Sequence, residues 1–344
     1  MLEILDRQAI VGGAVARSRS LTGILLLPDG DLLIGYREGT DHLLTDDGVV
    51  MTIRSTDGGR SWQRPSKVVE LSDWDCAGGR SMTTTPDGDL LMYVFLARRS
   101  IGANPEAHVF PIRSTDGGRS WGSMGEELAL FDGWTEPNTS GEMIELSGGQ
   151  WMIPVYGSAT STGVINPSSA AQDGSKSYSI VAFSQDDGKT WPSTCIVAKH
   201  PSINFHELAV TRVKEGRLLA VIRTQDPPYT SYQSDSDDEG RTWSTPKPLP
   251  FCGQTPSLIQ LPSGVILCAY RDRAPDKLGV SVSLTYDEGI SWEFGGQLYA
   301  GTDWNCGYPG LVYLPGGDVF CVYYSCYDAR GNSEIHGLRL REGK

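Results

Sequence analysis

Five near-copies of one octapeptide constrain this chain more than any other feature. Ser55–Trp62 reads STDGGRSW and recurs letter for letter at Ser114–Trp121. Looser copies stand at Ser184–Trp191 (SQDDGKTW), Ser236–Trp243 (SDDEGRTW) and Thr285–Trp292 (TYDEGISW). The shared pattern is Ser/Thr-x-Asp-x-Gly-x-Ser/Thr-Trp, at intervals of 59, 70, 52 and 49 residues. Self-similarity at a period of roughly 50 residues means a propeller or an array. The box has a mechanical reading: the Asp side chain bonds backbone N–H groups two residues on, the Gly supplies a positive φ, and the Trp fills an apolar gap beside the turn. It predicts a hairpin turn between the two outer strands of a blade, a structural staple rather than a catalytic element.

A second repeat precedes each box: an apolar run, a Gly turn, then another strand. Its copies are LLLPDGDLLIGYR (25–37), TTTPDGDLLMYVF (83–95), IELSGGQWMIPVY (144–156), TRVKEGRLLAVIR (211–223), IQLPSGVILCAYR (259–271) and VYLPGGDVFCVYY (312–324). Six hairpins and five boxes predict six four-stranded blades, an all-β six-bladed propeller with residues 1–344 as a single domain. The sixth blade lacks a box because the chain ends after its third strand, Glu334–Arg341. Leu2–Ala9 is predicted to pair there as the missing fourth strand and close the ring. The longest irregular insert, Ser158–Ser177, is rich in Ser, Gly and Ala and reads as a surface loop or a lid over a pocket.

Forty-one glycines and twenty prolines in 344 residues suit short strands and tight turns. No sustained 3.6-residue apolar period exists, so very little helix is expected. A net charge of −13 argues against a nucleic-acid partner, and an anionic substrate would need a local arginine cluster. MLEILDRQAIVGG lacks a basic start followed by an apolar core, and no run reaches the ~18 apolar residues of a membrane span. The expectation is therefore neither signal peptide nor membrane partner. Seven cysteines without a CxxC pair fit reduced thiols in the cytoplasm. The five histidines are scattered without metal-ligand spacing, so no cofactor is expected.

Aligning the six hairpins on the residue before the turn Gly brings out two registers. Eight residues later stand Arg37, Phe95, Tyr156, Arg223, Arg271 and Tyr324; eight residues earlier stand Leu21, Gly79, Ser140, Glu207, Thr255 and Tyr308. Strand parity places Glu207 and Tyr308 on one face of their blades. Guanidiniums sharing a rim can grip a carboxylate through charge-assisted, often bidentate bonds. An acid inside the apolar strand NFHELAV costs free energy unless paired, which favours a site role for Glu207.

With these residues the chain resembles the sialidase (neuraminidase) superfamily, marked by repeated Asp boxes on a six-bladed propeller. The resemblance implies three arginines on the sugar carboxylate, a Tyr–Glu nucleophile couple and an Asp acid/base. HELAVTRVKEGRLLAVIR is similar to the family stretch that would assign Glu207 and Arg223. GYPGLVYLPGGDVFCVYY is similar to the stretch carrying the nucleophile, here Tyr308. The third arginine is Arg271 or, in AYRDRAP, Arg273. The first is matched by Arg19 in ARSRSLTGILLLPDG, where the family's Arg-Ile-Pro motif is absent. The acid/base loop corresponds to YREGTDHLLTDDGVV, which offers Asp41, Asp46, Asp47 and His42. Asp41 is preferred for its closeness to Arg37 and His42, with His42 a sugar contact or alternative proton carrier. The activity implied is retaining exo-hydrolysis of a terminal acidic sugar from a carbohydrate substrate. A phenol suits such a substrate, because the anomeric carbon carries a carboxylate that repels an anionic nucleophile; sialidases depart in this way from the two-carboxylate scheme.

Two further features bear on alternatives. DWDCAGG (73–79) and DWNCGYP (303–309) echo each other, making Trp74 and Trp304 candidate sugar platforms. Glu136 and Glu142 enter blade three near the same rim. An exo-arabinanase- or rhamnosidase-like enzyme for neutral sugars could use Glu142 with Glu207 as a carboxylate pair. A non-catalytic carbohydrate-binding propeller is the alternative of another class.

Overall fold

A computed structural model describes residues 2–12, 17–42, 45–98, 106–128, 130, 138–139, 141–157, 176–329 and 331–343. Six sheets follow one another around a ring. Strand β1 (Leu2–Val11) is set aside for the last sheet. Blade one is β2 (Ser18–Leu26), β3 (Leu32–Gly39), β4 (Val49–Ser55) and β5 (Ser66–Val69); blade two is β6 (Asp75–Thr84), β7 (Leu90–Arg98) and β8 (Glu106–Ser114). Blade three is β9 (Asn138–Thr139), β10 (Ile144–Glu145), β11 (Trp151–Gly157), β12 (Tyr178–Ser184) and β13 (Ser193–Ala198). Blade four is β14 (Phe205–Lys214), β15 (Arg217–Thr224), β16 (Tyr232–Ser236) and β17 (Lys247–Pro248). Blade five is β18 (Gly253–Gln260), β19 (Ile266–Asp272), β20 (Gly279–Thr285) and β21 (Glu293–Ala300). Blade six is β22 (Gly307–Tyr313), β23 (Val319–Tyr324) and β24 (Ile335–Glu342), completed by β1. That last pairing is antiparallel, from Leu2 opposite Glu342 to Val11 opposite Ile335, so the predicted closure is found. The fold is the expected all-β six-bladed propeller.

Blade two departs from the four-strand plan. Beyond its box the chain still runs beside β8, with Gly122 N–H donating to Arg113 O, Gly125 to Pro111 O and Leu128 to Val109 O. These contacts do not form a regular fourth strand. The insert at 158–175 and Glu136 lie outside the described residues.

The second strands are apolar on both faces because each is packed between neighbouring blades, as buried strands are. Every residue of WMIPVYG, ILCAYRD and VFCVYY is buried. The core is accordingly divided into six clusters, each shared by two adjacent blades. One joins Leu267 and Val282 of blade five to Leu311 and Leu338 of blade six. Another joins Ile24 and Ile34 of blade one to Phe320 and Val322 of blade six.

The boxes staple the outer turns by local bonds. In the first, Asp57 Oδ1 accepts from the N–H groups of Arg60 and Ser61 at 2.9 Å each, and Oδ2 accepts from Ser61 Oγ at 2.5 Å. The reach is three and four residues forward, not two, because the turn between carries Gly58 and Gly59 at φ 71° and 86°. Ser55 Oγ donates to Asp57 Oδ1 and accepts from Gly59 N–H, both at 2.8 Å. The box tryptophans reach the preceding blade. Trp62 packs on Phe320 at 5.9 Å between ring centroids, Trp191 meets Tyr93, and Trp292 Nε1 donates to Gln233 Oε1 at 2.8 Å.

Candidate active site

The innermost strands share a device that sequence periodicity does not show. Pairing with the second strand slips at an equivalent point in five blades: between Ser20 and Gly23, Gly78 and Met82, Phe205 and Leu208, Gln254 and Ser257, and Gly307 and Gly310. Four of these bulges hold a residue in the left-handed region, Leu21 (φ 55°), Gly79 (101°), Thr255 (50°) and Tyr308 (47°). A bulge re-aims the side chain at the slip. These are the positions of the earlier register, and the bulges turn Leu21, Glu207 and Tyr308 into a common axial cavity. The sixth member of that register, Ser140, lies outside the described residues.

Glu207 and Tyr308, two blades apart around the ring, meet there. Tyr308 Oη donates to Glu207 Oε1 at 2.9 Å, and Arg223 Nη1 donates to both Glu207 oxygens at 2.6 Å. Burial pushes the Glu207 carboxyl up, but Arg223, the neighbouring His206 and the Tyr308 hydroxyl overcome it and hold the group down at about 2. Burial and the Glu207 anion push the Tyr308 phenol up to about 12, against the pull of Arg223, Arg271 and Arg80. The resting couple is therefore phenol and carboxylate.

Arg271 is fixed beside the couple. Its Nε donates to Cys306 O, its Nη2 donates to Tyr324 Oη at 2.8 Å, and its guanidinium carbon lies 5.1 Å from the Tyr308 ring centroid. Arg273 is elsewhere: it bonds Gln254 Oε1 at 3.0 Å and lies over Tyr229, off the cavity wall. Tyr156 and Phe95 of the later register line the cavity as well.

The two candidate arginines of blade one, Arg19 and Arg37, do not reach it. Arg19 Nε donates to Glu38 at 2.9 Å and its Nη1 to Ser333 O at 3.2 Å. Arg37, wholly buried, donates to Asp75 at 2.6 Å, to Asp41 O at 2.6 Å and to Thr45 Oγ1 at 2.7 Å. Both guanidiniums are bound up in tying blade one to its neighbours and its loop, so the register that grouped Arg37 with Arg223 and Arg271 breaks here. Arg80, which sequence reasoning passed over, lines the cavity instead, 5.2 Å from the Tyr308 ring centroid. Counting by eight lands on Gly79; Arg80 is the next residue, and it is brought inward at the bulge.

The acid/base candidates divide by depth. His42 lines the cavity, 6.4 Å from the Tyr308 ring and 5.9 Å from the Tyr324 ring. Burial, then Arg271, Arg37 and Arg223, hold the imidazole down at about 3, so it is neutral at physiological pH. Asp41 is exposed and does not line the cavity, but it is tied to the wall through His42: its Oδ1 accepts from His42 N–H at 2.6 Å and from Tyr327 Oη at 3.2 Å. Asp47 bonds Thr40 and pairs with Arg17 at 3.1 Å, outside the cavity wall, and Asp46 does not line it either. Trp304 stands at the mouth, half exposed, whereas Trp74 packs against His108 and Arg98 away from it.

Glu142 lies in a second, narrower cavity on the inner strands, which shares Arg80 with the first. Its Oε1 accepts from Ser257 Oγ at 3.2 Å. Burial pushes its carboxyl up to about 7, against the pull of Arg80. Among the described residues no group of three or more His, Cys, Asp or Glu is placed to hold a metal, and no helix is long and apolar enough to cross a membrane.

A family model described as a BNR repeat-like domain matches residues 79–321. The chain belongs to that family. A sialidase from Micromonospora viridifaciens is 26% identical over 212 residues, 56% of this chain and 32% of that protein, so the match spans about a third of the relative. Among solved structures, a protein of unknown function from Dyadobacter fermentans superposes with TM-score 0.85 at 18% identity, covering 99% of both chains. A Hadza microbial sialidase gives 0.72 at 18% identity, covering 93% of this chain and 65% of that one. NanB sialidase from Streptococcus pneumoniae gives 0.69 at 12% identity, covering 94% and 68%. At these identities the solved structures establish the fold of this BNR repeat-like chain, which is that of sialidases.

Proposed function

We propose that the chain is a retaining exo-glycoside hydrolase of the sialidase type, acting on a terminal sugar that carries a carboxylate. The observation that carries this reading is the 2.9 Å contact between Tyr308 Oη and Glu207 Oε1 inside a cavity walled by three arginines. Arg80, Arg223 and Arg271 face one ionised carboxylate, Glu207, while His42 and His206 are held neutral at about 3 and about 4, chiefly by burial. The wall is thus positive in a protein of net charge −13, which suits an anionic sugar. The Micromonospora relative supports the same class.

In the first step Tyr308 Oη attacks the anomeric carbon as its proton passes to Glu207, and the bond to the leaving oxygen breaks. Asp41, next to His42 of the cavity wall, gives that oxygen a proton. In the second step water attacks the same carbon, Asp41 takes the water proton, and the sugar–Tyr308 bond breaks. The phenolate recovers its proton from Glu207. Two displacements at one carbon retain configuration.

The test is release of a fluorescent phenol from aryl glycosides of sialic acid, arabinofuranose, rhamnose, fucose and galactose. Cleavage of the sialoside, abolished in Tyr308→Phe, is expected. Cleavage of a neutral glycoside alone would reject the acidic substrate and leave the Tyr–Glu couple in question.

A further inference from the structure

We propose that Arg80, on the innermost strand of blade two, is the residue that reads the substrate's negative charge, and that no arginine of blade one does so. This rests on Tyr308 and Glu207 as the glycosidase couple and specifies which side chain selects an acidic sugar.

Where it meets the inner strand of blade two, blade one presents glycines. A Cβ added to Gly23 of β2 would lie 2.1 Å from Gly79 O and 2.7 Å from Arg80 Cα, and one added to Gly35 of β3 would lie 2.4 Å from Gly79 Cα. Backbone therefore meets backbone across the two blades, which only glycine permits. The inner strand of blade two moves into the space that a blade-one side chain would take. Gly79, at φ 101°, then sets Arg80 on the cavity wall.

The three cavity guanidiniums are not equivalent. Arg223 gives Nη1 to both oxygens of Glu207 and Nη2 to Gln225, so its charge is matched by a carboxylate already in place. Arg271 is held by Cys306 O and Tyr324 Oη, while Arg80 donates to Pro256 O and stands between Glu207 and Glu142, which share its field. Their guanidinium carbons lie 5.1 and 5.2 Å from the same Tyr308 ring centroid. A carboxylate on the carbon that Tyr308 attacks comes within reach of both. Fixed cations aimed at a substrate anion need little reorganisation on binding. Arg271 anchors from blade five, and Arg80 supplies the second grip from blade two.

The experiment is calorimetric binding of N-acetylneuraminic acid and of its methyl ester, which keeps the shape and loses the charge. Wild type is expected to bind the acid at least tenfold more tightly than the ester. In Arg80→Met, acid binding should weaken roughly 10- to 100-fold, the scale of a lost hydrogen bond to a charged group, with the ester unchanged. Arg80→Lys, which keeps the charge, should restore part of the preference, and Arg19→Gln should retain it in full. Melting curves on each variant identify any that fail to fold, and Arg80→Lys serves if Arg80→Met does not. An undiminished acid preference in folded Arg80→Met, or its loss in Arg19→Gln, overturns the assignment. The two readings fail differently. An acid preference lost in Arg80→Met, without turnover of the aryl sialoside, keeps Arg80 and rejects the hydrolase. Turnover in a wild type that binds acid and ester alike keeps the hydrolase and rejects Arg80.

Discussion

The outer turns and the inner strands of this propeller are both built by repetition, and they use it in opposite ways. At the rim, five boxes repeat the side chains themselves, and each holds its turn with bonds spanning only two to four residues, as from Ser55 and Ser61 to Asp57. At the axis, the backbone repeats, with a bulge at equivalent points of five inner strands, while the side chain there changes from leucine to glycine, glutamate, threonine and tyrosine. Identical copies secure the architecture because every blade needs the same turn. Non-identical copies on identical backbones assemble a site, because an axial cavity needs different groups aimed at one point.

If that contrast holds, axial substitutions should divide activity from stability and rim substitutions should do the reverse. The largest effect is expected from Tyr308→Phe, with turnover of a cleaved aryl glycoside falling by at least about 10³-fold, the scale of a removed nucleophile. Its melting temperature should stay near wild type, since the phenyl ring keeps its packing; an equal fall in stability would make Tyr308 a packing residue. Next is Gly79→Ala, where the new Cβ would stand 2.3 Å from Gly35 C. Denaturant unfolding should show a loss of about 3 kcal/mol or more, or no folded protein, as expected for backbone overlap at a strained φ. A wild-type unfolding curve would remove the close approach from the account of Arg80. Asp57→Ala should cost about 1–2 kcal/mol, the range for losing a side-chain cap on backbone N–H groups, with kinetics unchanged. Altered kinetics in that variant would show that rim and axis communicate.

The smallest effect expected is on acid stability. His42 and His206 are held at about 3 and about 4 in the folded chain, chiefly by burial. Unfolded, each titrates near an ordinary 6.5, so between those values the unfolded chain binds more protons and stability falls as pH falls. Glu142 at about 7 works in the other direction between pH 4.5 and 7, since the folded chain then holds the extra proton. Glu142→Gln should therefore steepen the decline in melting temperature from pH 7 to 5. An unchanged slope would mean that the carboxyl is not enclosed as described.

Fold and site were legible to different degrees for a physical reason. The ring could be counted from the boxes and hairpins, because those bonds and turns are local. Glu207, Tyr308, Arg223 and Arg271 could be drawn together by register, because the hairpins are equally spaced. Arg37 shared that register and Arg19 stood near the place of the family's first arginine, yet their partners, Asp75 and Ser333, are distant in sequence and no spacing reveals them. Arg80 was hidden for the complementary reason: the bulge adds a residue, and the count fell on Gly79.

The pairing of β1 with β24 has a consequence for how the molecule is made. Residues 2–11 leave the ribosome more than three hundred residues ahead of their partners at 335–342. Throughout synthesis the first strand waits with an unsatisfied edge while blades one to five assemble behind it. Tyr308 stands on β22 of that last-completed blade, so its contact with Glu207 of blade four forms only once blade six is in place. Nascent chains should acquire most of their protease resistance before they acquire a working cavity, and that cavity should mature in a single late step.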